Sequence, residues 1–78
     1  MQKLRPDMDI GQNIQALRRN SKLTQDMVVA KLEVMGIEIS KSTYAKIETN
    51  RMNIKVSELV ALKKIFKCSF EDFFSELE

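Results

Sequence analysis

The sequence predicts an all-α fold built on one small core, and three observations support this prediction. The chain has 78 residues with only two glycines and one proline. It is rich in Leu, Lys, Glu, Met and Gln, which favour helices. Apolar residues recur at helical spacing in successive segments, most of them preceded by a side chain that can cap a helix. A chain of this length supports one domain, without a cleft between domains.

The first two helices are predicted from their caps and their apolar periods. Asp9 can cap the first helix, which extends to about Asn20. Its apolar stripe consists of Ile10, Ile14 and Leu17. Thr24 can cap the second helix, and Gly36 ends it because glycine adopts the left-handed C′ conformation without a Cβ penalty. The predicted inner face of this helix consists of Met27, Val28, Lys31 (through its aliphatic stem), Leu32 and Met35.

The third helix, over residues 40–48, carries the most informative surface. Ser40 can cap it, and Tyr44 and Ile47 supply its buried stripe. The outward residues are Lys41, Ser42, Ala45 and Lys46. Two cations, a hydroxyl and a small residue suit a helix that enters the major groove of DNA. The alternatives are a helix face that is merely solvated, or lysines that bind only phosphate.

The segment after this helix is predicted to be a polar loop followed by two further helices. Asn50 is the best residue for a left-handed C′ position, and Arg51 and Asn53 follow it in a loop suited to phosphate oxygens. The apolar stripe of the fourth helix consists of Val56, Leu59, Val60, Leu62 and Phe66. Ser69 can cap a last helix, whose apolar face consists of Phe70, Phe73, Phe74 and Leu77. This is more apolar surface than one small monomer covers, which indicates a homodimer contact.

The organisation of the chain is predicted from its charge and its periodicity. Residues 1–8 have no apolar period and include a proline, so we expect a flexible arm there and a helical domain over residues 9–78. Residues 1–70 hold all thirteen Lys and Arg against seven acids, whereas residues 71–78 hold four acids and no base. A basic body with an acidic tip is typical of a protein that meets a polyanion with one side.

Composition argues against several classes of function. The chain has no histidine, which removes imidazole metal sites and nucleophile pairs that use histidine. We therefore expect no enzyme activity, no metal and no cofactor. Cys68 is the single cysteine and lies among apolar residues, which favours a small buried hydrophobe over a reactive thiol. No apolar run is long enough to span a bilayer and no signal segment opens the chain, so we expect a cytoplasmic protein without membrane contact.

Three motifs in this order resemble one known family. They are Leu23-Thr24-Gln25, the run from Ser42 to Glu48 (STYAKIE) and the run from Cys68 to Phe74 (CSFEDFF). Together they resemble the phage-repressor family of helix-turn-helix proteins, the lambda-repressor-like, Cro-type domain, over about residues 10–74. The resemblance implies a five-helix domain that binds double-stranded DNA sequence-specifically as a homodimer on a palindromic site. It implies a transcriptional regulator, and a repressor more than an activator, with no small-molecule ligand.

The resemblance also implies roles for particular residues. Base edges would be contacted by Lys41, Ser42, Ala45 and Lys46. Phosphates would be contacted by Gln25, Thr43, Asn50, Arg51 and Asn53. Arg18 and Glu48 occupy positions that pair in relatives as a buried ion pair between the first helix and the recognition helix.

The chain departs from the family pattern at three points. The connection between the second and third helices is about five residues longer than the usual short turn, which predicts a longer second helix and an added loop around residues 36–38. Val29 stands where relatives usually carry alanine. Asn50 and Lys67 stand where relatives usually carry glycine, so some turn stability is lost there.

One function of another class fits the same fold. The domain would then be a protein-interaction module, an antitoxin or an adaptor, that docks a partner through its Phe-rich C-terminus. A small metabolic enzyme is disfavoured because the chain has neither histidine nor a Gly-rich phosphate loop.

Overall fold

A computed structural model describes residues 10–74, which contain five helices and no strand. The helices are α1 (Ile10–Asn20), α2 (Gln25–Val34), α3 (Lys41–Glu48), α4 (Val56–Phe66) and α5 (Phe70–Phe73). The all-α prediction is confirmed. The predicted arm over residues 1–8, the Asp9 cap and Leu77 lie outside the described residues.

The core lies where α3 packs between the first two helices. α1 contacts α3 and α5, and α2 contacts α3 and α4. The most deeply buried large side chains are Tyr44, Phe73, Ile14, Leu32, Leu62 and Val28. Burying an apolar side chain of this size stabilises the fold by about 1.5–3 kcal/mol, so these residues hold α3 in its place.

Three of the predicted hydroxyl caps are present. Thr24, Ser40 and Ser69 each accept a hydrogen bond from the backbone amide three residues on, at 3.1, 3.1 and 3.3 Å. The fourth helix is capped differently, because its N-cap is Lys55. The buried carboxylate of Glu58 accepts from the Lys55 amide at 2.8 Å, an acceptor that the sequence reasoning had missed.

Each of the first four helices is followed, one or two residues after its end, by a residue with left-handed backbone. These residues are Lys22, Gly36, Asn50 and Lys67, with φ of 61°, 88°, 62° and 57°. After α2 the Ile37 amide donates to the Leu32 carbonyl at 2.9 Å, as in a Schellman motif, and the other three ends repeat this pattern. Three of the four residues are not glycine, so the chain adopts a conformation that costs about 1 kcal/mol or more at each of them.

The buried face of α2 is only partly the predicted one. Val28 and Leu32 are buried, but Met27 and Met35 are 45% and 40% exposed and Lys31 is exposed. The helix must face α3 and α4 together, and successive residues lie about 100° apart around the axis. A stripe centred on Val28 and Leu32 therefore leaves the positions just before each of them outside the contact. α2 ends at Val34, and the predicted loop around residues 36–38 follows it.

The ends of α4 and α5 also differ from the prediction. Val56 was expected in the core, but it is 77% exposed because it is the first residue of α4 and precedes the turn that reaches the core. Met52 lies in the loop before α4 and is exposed rather than buried. Of the phenylalanines of α5 and its cap, Phe73 is fully buried, whereas Phe70 and Phe74 are each 43% exposed.

Two side chains near α5, Lys63 and Cys68, are half-buried. Lys63 places its ammonium 5.3 Å from the centre of the Phe70 ring. Cys68 is half-buried against the core, and burial raises the pKa of its thiol. A raised thiol pKa disfavours the thiolate, in agreement with a hydrophobic role.

Gly11 allows the closest approach between α1 and α3. A Cβ atom at this position would lie 2.5 Å from the Ile47 carbonyl oxygen and 2.6 Å from the Glu48 carbonyl oxygen. Both neighbours are backbone atoms that cannot rotate away. Glycine is therefore required here for the two helices to pack at this distance.

We predict that Gly11→Ala lowers the free energy of unfolding by about 2 kcal/mol, because the clash outweighs the helix propensity gained with alanine, about 1 kcal/mol. Urea unfolding at constant pH measures the change. The exposed neighbour Gln12 serves as the control, and Gln12→Ala should shift stability by less than about 0.5 kcal/mol. A Gly11→Ala protein as stable as the parent would contradict the close approach.

Candidate nucleic-acid interface

We call the outer face of α3 the reading face, because it presents the residues expected to contact base edges. Lys41, Ser42 and Lys46 are exposed and Ala45 is half-exposed. Tyr44, on the opposite face, is 1% exposed. The helix is thus supported from behind and open in front, which leaves its cationic side free to approach another molecule.

A group of hydroxyls surrounds the N-terminus of α3. The Ser40 hydroxyl lies 3.0 Å from the Thr43 hydroxyl and 3.4 Å from the Ser42 hydroxyl. Ser40 and Thr43 are therefore engaged in the cap, and Thr43 is half-buried. Ser42 is the member of this group that faces outward on the reading face.

Lys41 also has a partner that the sequence reasoning did not identify. Its ammonium lies 3.4 Å from a carboxylate oxygen of Asp26, in the first turn of α2. Both side chains are more than half exposed, so the pair contributes little to stability. No local pattern indicates this contact, because it depends on how α2 packs beside α3.

Glu48 lies at the centre of a polar network behind the reading face. The Arg18 Nε donates to Glu48 at 2.7 Å and Nη2 donates to the other carboxylate oxygen at 3.2 Å. Arg18 Nη1 donates to the Leu23 carbonyl at 3.0 Å. Gln25 Nε2 donates to Glu48 at 3.0 Å. Arg18 and Glu48 therefore form a buried bidentate ion pair that joins α1, the start of α2 and α3.

The protonation states of this network follow from its geometry. Burial opposes ionisation of Glu48, but the hydrogen bonds from Arg18 and Gln25 and the nearby Tyr44 hydroxyl leave the pKa of Glu48 below its ordinary value. The hydrogen bond to Glu48 raises the pKa of Arg18. Burial, together with the Glu48 carboxylate, raises the pKa of Tyr44. Its hydroxyl is buried without a hydrogen-bond partner among the described residues, so Tyr44 is held mainly by packing.

The residues expected to contact phosphate fall into two groups. Arg51 and Asn53 are exposed in the loop after α3, next to the C-terminal end of the reading face. Gln25 and Asn50 are half-buried and bonded within the protein, since Asn50 Oδ1 accepts from the Gly11 amide at 2.9 Å. Gln25 retains one amide N–H and Asn50 retains both, so the two side chains hold the helices while keeping donors.

The two ends of the reading face differ in whether their cationic side chains are paired with a carboxylate. Among residues 10–74, Lys46 and Arg51 form no ion pair, whereas Lys41 is paired with Asp26. The C-terminal half of the face therefore carries uncompensated positive charge. Within the same residues, no group of three or more His, Cys, Asp or Glu side chains is placed to hold a metal ion. No helix in this part of the chain is long and apolar enough to cross a membrane.

α2 and α3 contact each other and are joined by the loop over residues 35–40, an arrangement that is typical of helix-turn-helix DNA-binding domains. A helix-turn-helix family model matches residues 14–73, which is most of the chain. The chain therefore belongs to the lambda-repressor-like helix-turn-helix family of DNA-binding regulators, and the predicted resemblance is confirmed. No curated protein and no solved structure gives a significant match to the chain.

We predict that Glu48→Gln destabilises the protein by about 3 kcal/mol at neutral pH, because it leaves the Arg18 charge buried without a counter-ion. The pKa of Glu48 is lower in the folded state, so its contribution to stability is present above the ordinary value of 4.5 and is lost as the pH falls through the folded value. The difference between parent and variant should therefore shrink as the solution is acidified below about pH 4.5.

Urea unfolding at a series of pH values measures this difference. Glu33→Gln, at an exposed glutamate of α2, is the matched control and should have little effect at any pH. A difference that stays constant into acid would show that the Glu48 charge does not stabilise the fold.

Proposed function

We propose that this protein is a sequence-specific, double-stranded DNA-binding transcriptional regulator, and a repressor, that reads the major groove with residues 40–48. The single observation that carries the proposal is the exposed cationic face of α3, supported by a buried opposite face. An α-helix with its side chains is about 10–12 Å in diameter, and the major groove is about 12 Å wide, so α3 can enter the groove. We place this activity in the cytoplasm.

The proposed base contacts follow from the chemistry of the four outward residues. Lys41 and Lys46 would donate to guanine O6 and N7, and Ser42 would contact either a base or a phosphate. Ala45 lies between the lysines, and its methyl group permits close contact with a thymine methyl. Lys46 is the strongest candidate, because its charge is not balanced by a carboxylate in the described part of the chain.

The proposed phosphate contacts lie on both sides of this face. Arg51 and Asn53 would bind phosphates beyond the C-terminal end of α3. Gln25, at the first position of α2, would use its remaining N–H together with the amides of that helix end. Thr43 and Asn50 complete the set, although both side chains also hold α3 in place.

The proposed oligomer is a homodimer on a palindromic site, with the two recognition helices about 34 Å apart in successive major grooves. Support comes from apolar surface that the described residues leave open. Phe74 and Met52, each 43% exposed, line a cavity of about 440 Å³ that opens to solvent. Phe70 is exposed to the same extent on α5. Apolar surface of this kind is typical of a protein–protein contact.

The same apolar surface favours a second candidate function. The domain would then be an antitoxin or adaptor that docks a protein partner through Phe70 and Phe74. The two functions differ in their dependence on salt, because only contacts with phosphates release condensed counterions.

We predict steep salt dependence for the binding of a random DNA duplex. About 4–8 phosphate contacts correspond to a slope of about −4 to −7 in log K against log salt concentration. Fluorescence anisotropy with a labelled duplex measures the slope. Arg51→Ala should reduce its magnitude by about one, whereas Lys64→Ala, at an exposed lysine of α4, should leave it unchanged. A flat salt response of the parent protein would favour the interaction module.

We predict that Lys46→Ala weakens binding to the preferred duplex by about 1–3 kcal/mol while folding stays intact. The loss arises because a base-edge contact disappears from the C-terminal half of the reading face. A preferred duplex is obtained by selection from a random pool, and Kd is then measured by anisotropy. Lys64→Ala removes the same charge from another helix and is the control. Equal effects of the two substitutions would show that Lys46 makes no specific contact with a base.

A further inference from the structure

We infer that Asn50 is a positioning residue that sets the tilt of the recognition helix α3, and that this role exceeds any contact it makes with phosphate. The inference rests on the proposed function, since tilt matters only if α3 reads DNA. Asn50 follows the end of α3, and its side chain bonds to the start of α1.

The backbone of Asn50 ends α3. Its φ of 62° is left-handed, and its amide donates to the Ile47 carbonyl at 3.1 Å. The next amide, of Arg51, donates to the Lys46 carbonyl at 2.8 Å. Glycine would serve this backbone conformation at lower cost, and asparagine is among the few other residues that tolerate it. The backbone therefore does not explain why a side chain is present here.

The side chain of Asn50 caps α1. Its Oδ1 accepts from the Gly11 amide at 2.9 Å. Gly11 is the second residue of α1, and the first four amides of a helix have no partner within the helix. A residue 39 positions along the chain thus supplies an acceptor to the N-terminus of α1. Glycine at position 50 would leave that bond unmade.

The contact is possible because α1 and α3 touch through their backbones. At Gly11 there is no room for a Cβ atom beside the carbonyls of Ile47 and Glu48. The Asn50 bond therefore holds the last turn of α3 directly on the first turn of α1. No flexible side chain of α1 is involved, so the bond fixes position closely.

A second attachment lies further along α1. Arg18 is seven residues beyond Gly11, about 10 Å along the helix axis, and binds Glu48 of α3. Two polar attachments at this separation resist rotation of α3 across α1 more than one does, in addition to the packing of Tyr44 and Ile47 in the core. With the Asn50 bond removed, Glu48 still joins α3 to α1, and we expect α3 to tilt about this residue.

The effect of tilt increases with distance from the pivot. Lys41 is seven residues from Glu48, about 10 Å along α3, so a tilt of about 10° displaces it by about 2 Å. A displacement of this size breaks a direct hydrogen bond to a base edge. Arg51 lies only three residues from Glu48, so a phosphate contact there is displaced less than a base contact of Lys41. Loss of the Asn50 side chain should therefore reduce specificity more than general affinity.

The test measures the affinity of the full chain for its selected duplex and for a random duplex. Asn50→Gly keeps the left-handed backbone and removes only the side chain. We expect affinity for the selected duplex to fall about tenfold, as one base contact is lost, and affinity for the random duplex to change less than about twofold. Asn20→Gly makes the same chemical change at an exposed asparagine at the end of α1, away from the proposed contacts, and should leave both affinities and their ratio unchanged.

Two further measurements test whether the effect of Asn50→Gly comes from loss of the hydrogen bond between Asn50 and the Gly11 amide. Asn50→Asp retains the side-chain oxygen and should restore the ratio, even though its negative charge lowers both affinities. Hydrogen exchange of the Gly11 amide should be faster in Asn50→Gly than in the parent and slow again in Asn50→Asp.

Equal losses on both duplexes for Asn50→Gly would identify a phosphate contact and overturn the inference. A folded Asn50→Gly protein with an unchanged ratio would overturn it as well. Failure of the parent protein to prefer any duplex would instead overturn the proposed function, and this inference with it.

Discussion

The buried ion pair between Arg18 and Glu48 is the interaction on which the candidate interface depends. It joins α1 to α3, and its hydrogen bonds extend to the Leu23 carbonyl and the Gln25 side chain at the start of α2. Desolvation offsets much of the attraction between two buried charges, so the pair orients the helices more than it stabilises them. The three helices that form the interface therefore meet at one carboxylate, and its ionised state is maintained by the donors around it.

The candidate recognition helix, α3, depends on this support because it is short. Eight residues are too few for a helix to be stable in water on its own, so packing must determine both its formation and its direction. Tyr44 and Ile47 anchor one face in the core, and the Ser40 cap and Asn50 end it on either side. Glycine would be less strained than asparagine at position 50, but the asparagine side chain forms a hydrogen bond with α1.

The connection between α2 and α3, over residues 35–40, leaves the start of α3 intact. Gly36 reverses the chain with a φ of 88°, and a Cβ there would meet no atom within 4 Å, so its requirement is conformational rather than steric. Ile37 and Ile39 then pack against the core and attach the connection to it. Val34 is 88% exposed beside this loop. The connection thus adds surface near the candidate interface while α3 keeps its cap and its buried face.

Local features of this protein were determined by the sequence alone. The hydroxyl caps, the left-handed helix ends at Gly36 and Asn50 and the outward face of α3 were all predicted, because each depends on residues only a few positions apart. The pairing of Arg18 with Glu48 was expected only through resemblance to a family. The tertiary structure alone decided which face of α2 is buried, that Val56 is exposed, and that Gln25 and Asn50 bond within the protein. These outcomes depend on the rotation of whole helices against each other, which joins residues 23 and 39 positions apart and leaves no local pattern in the sequence.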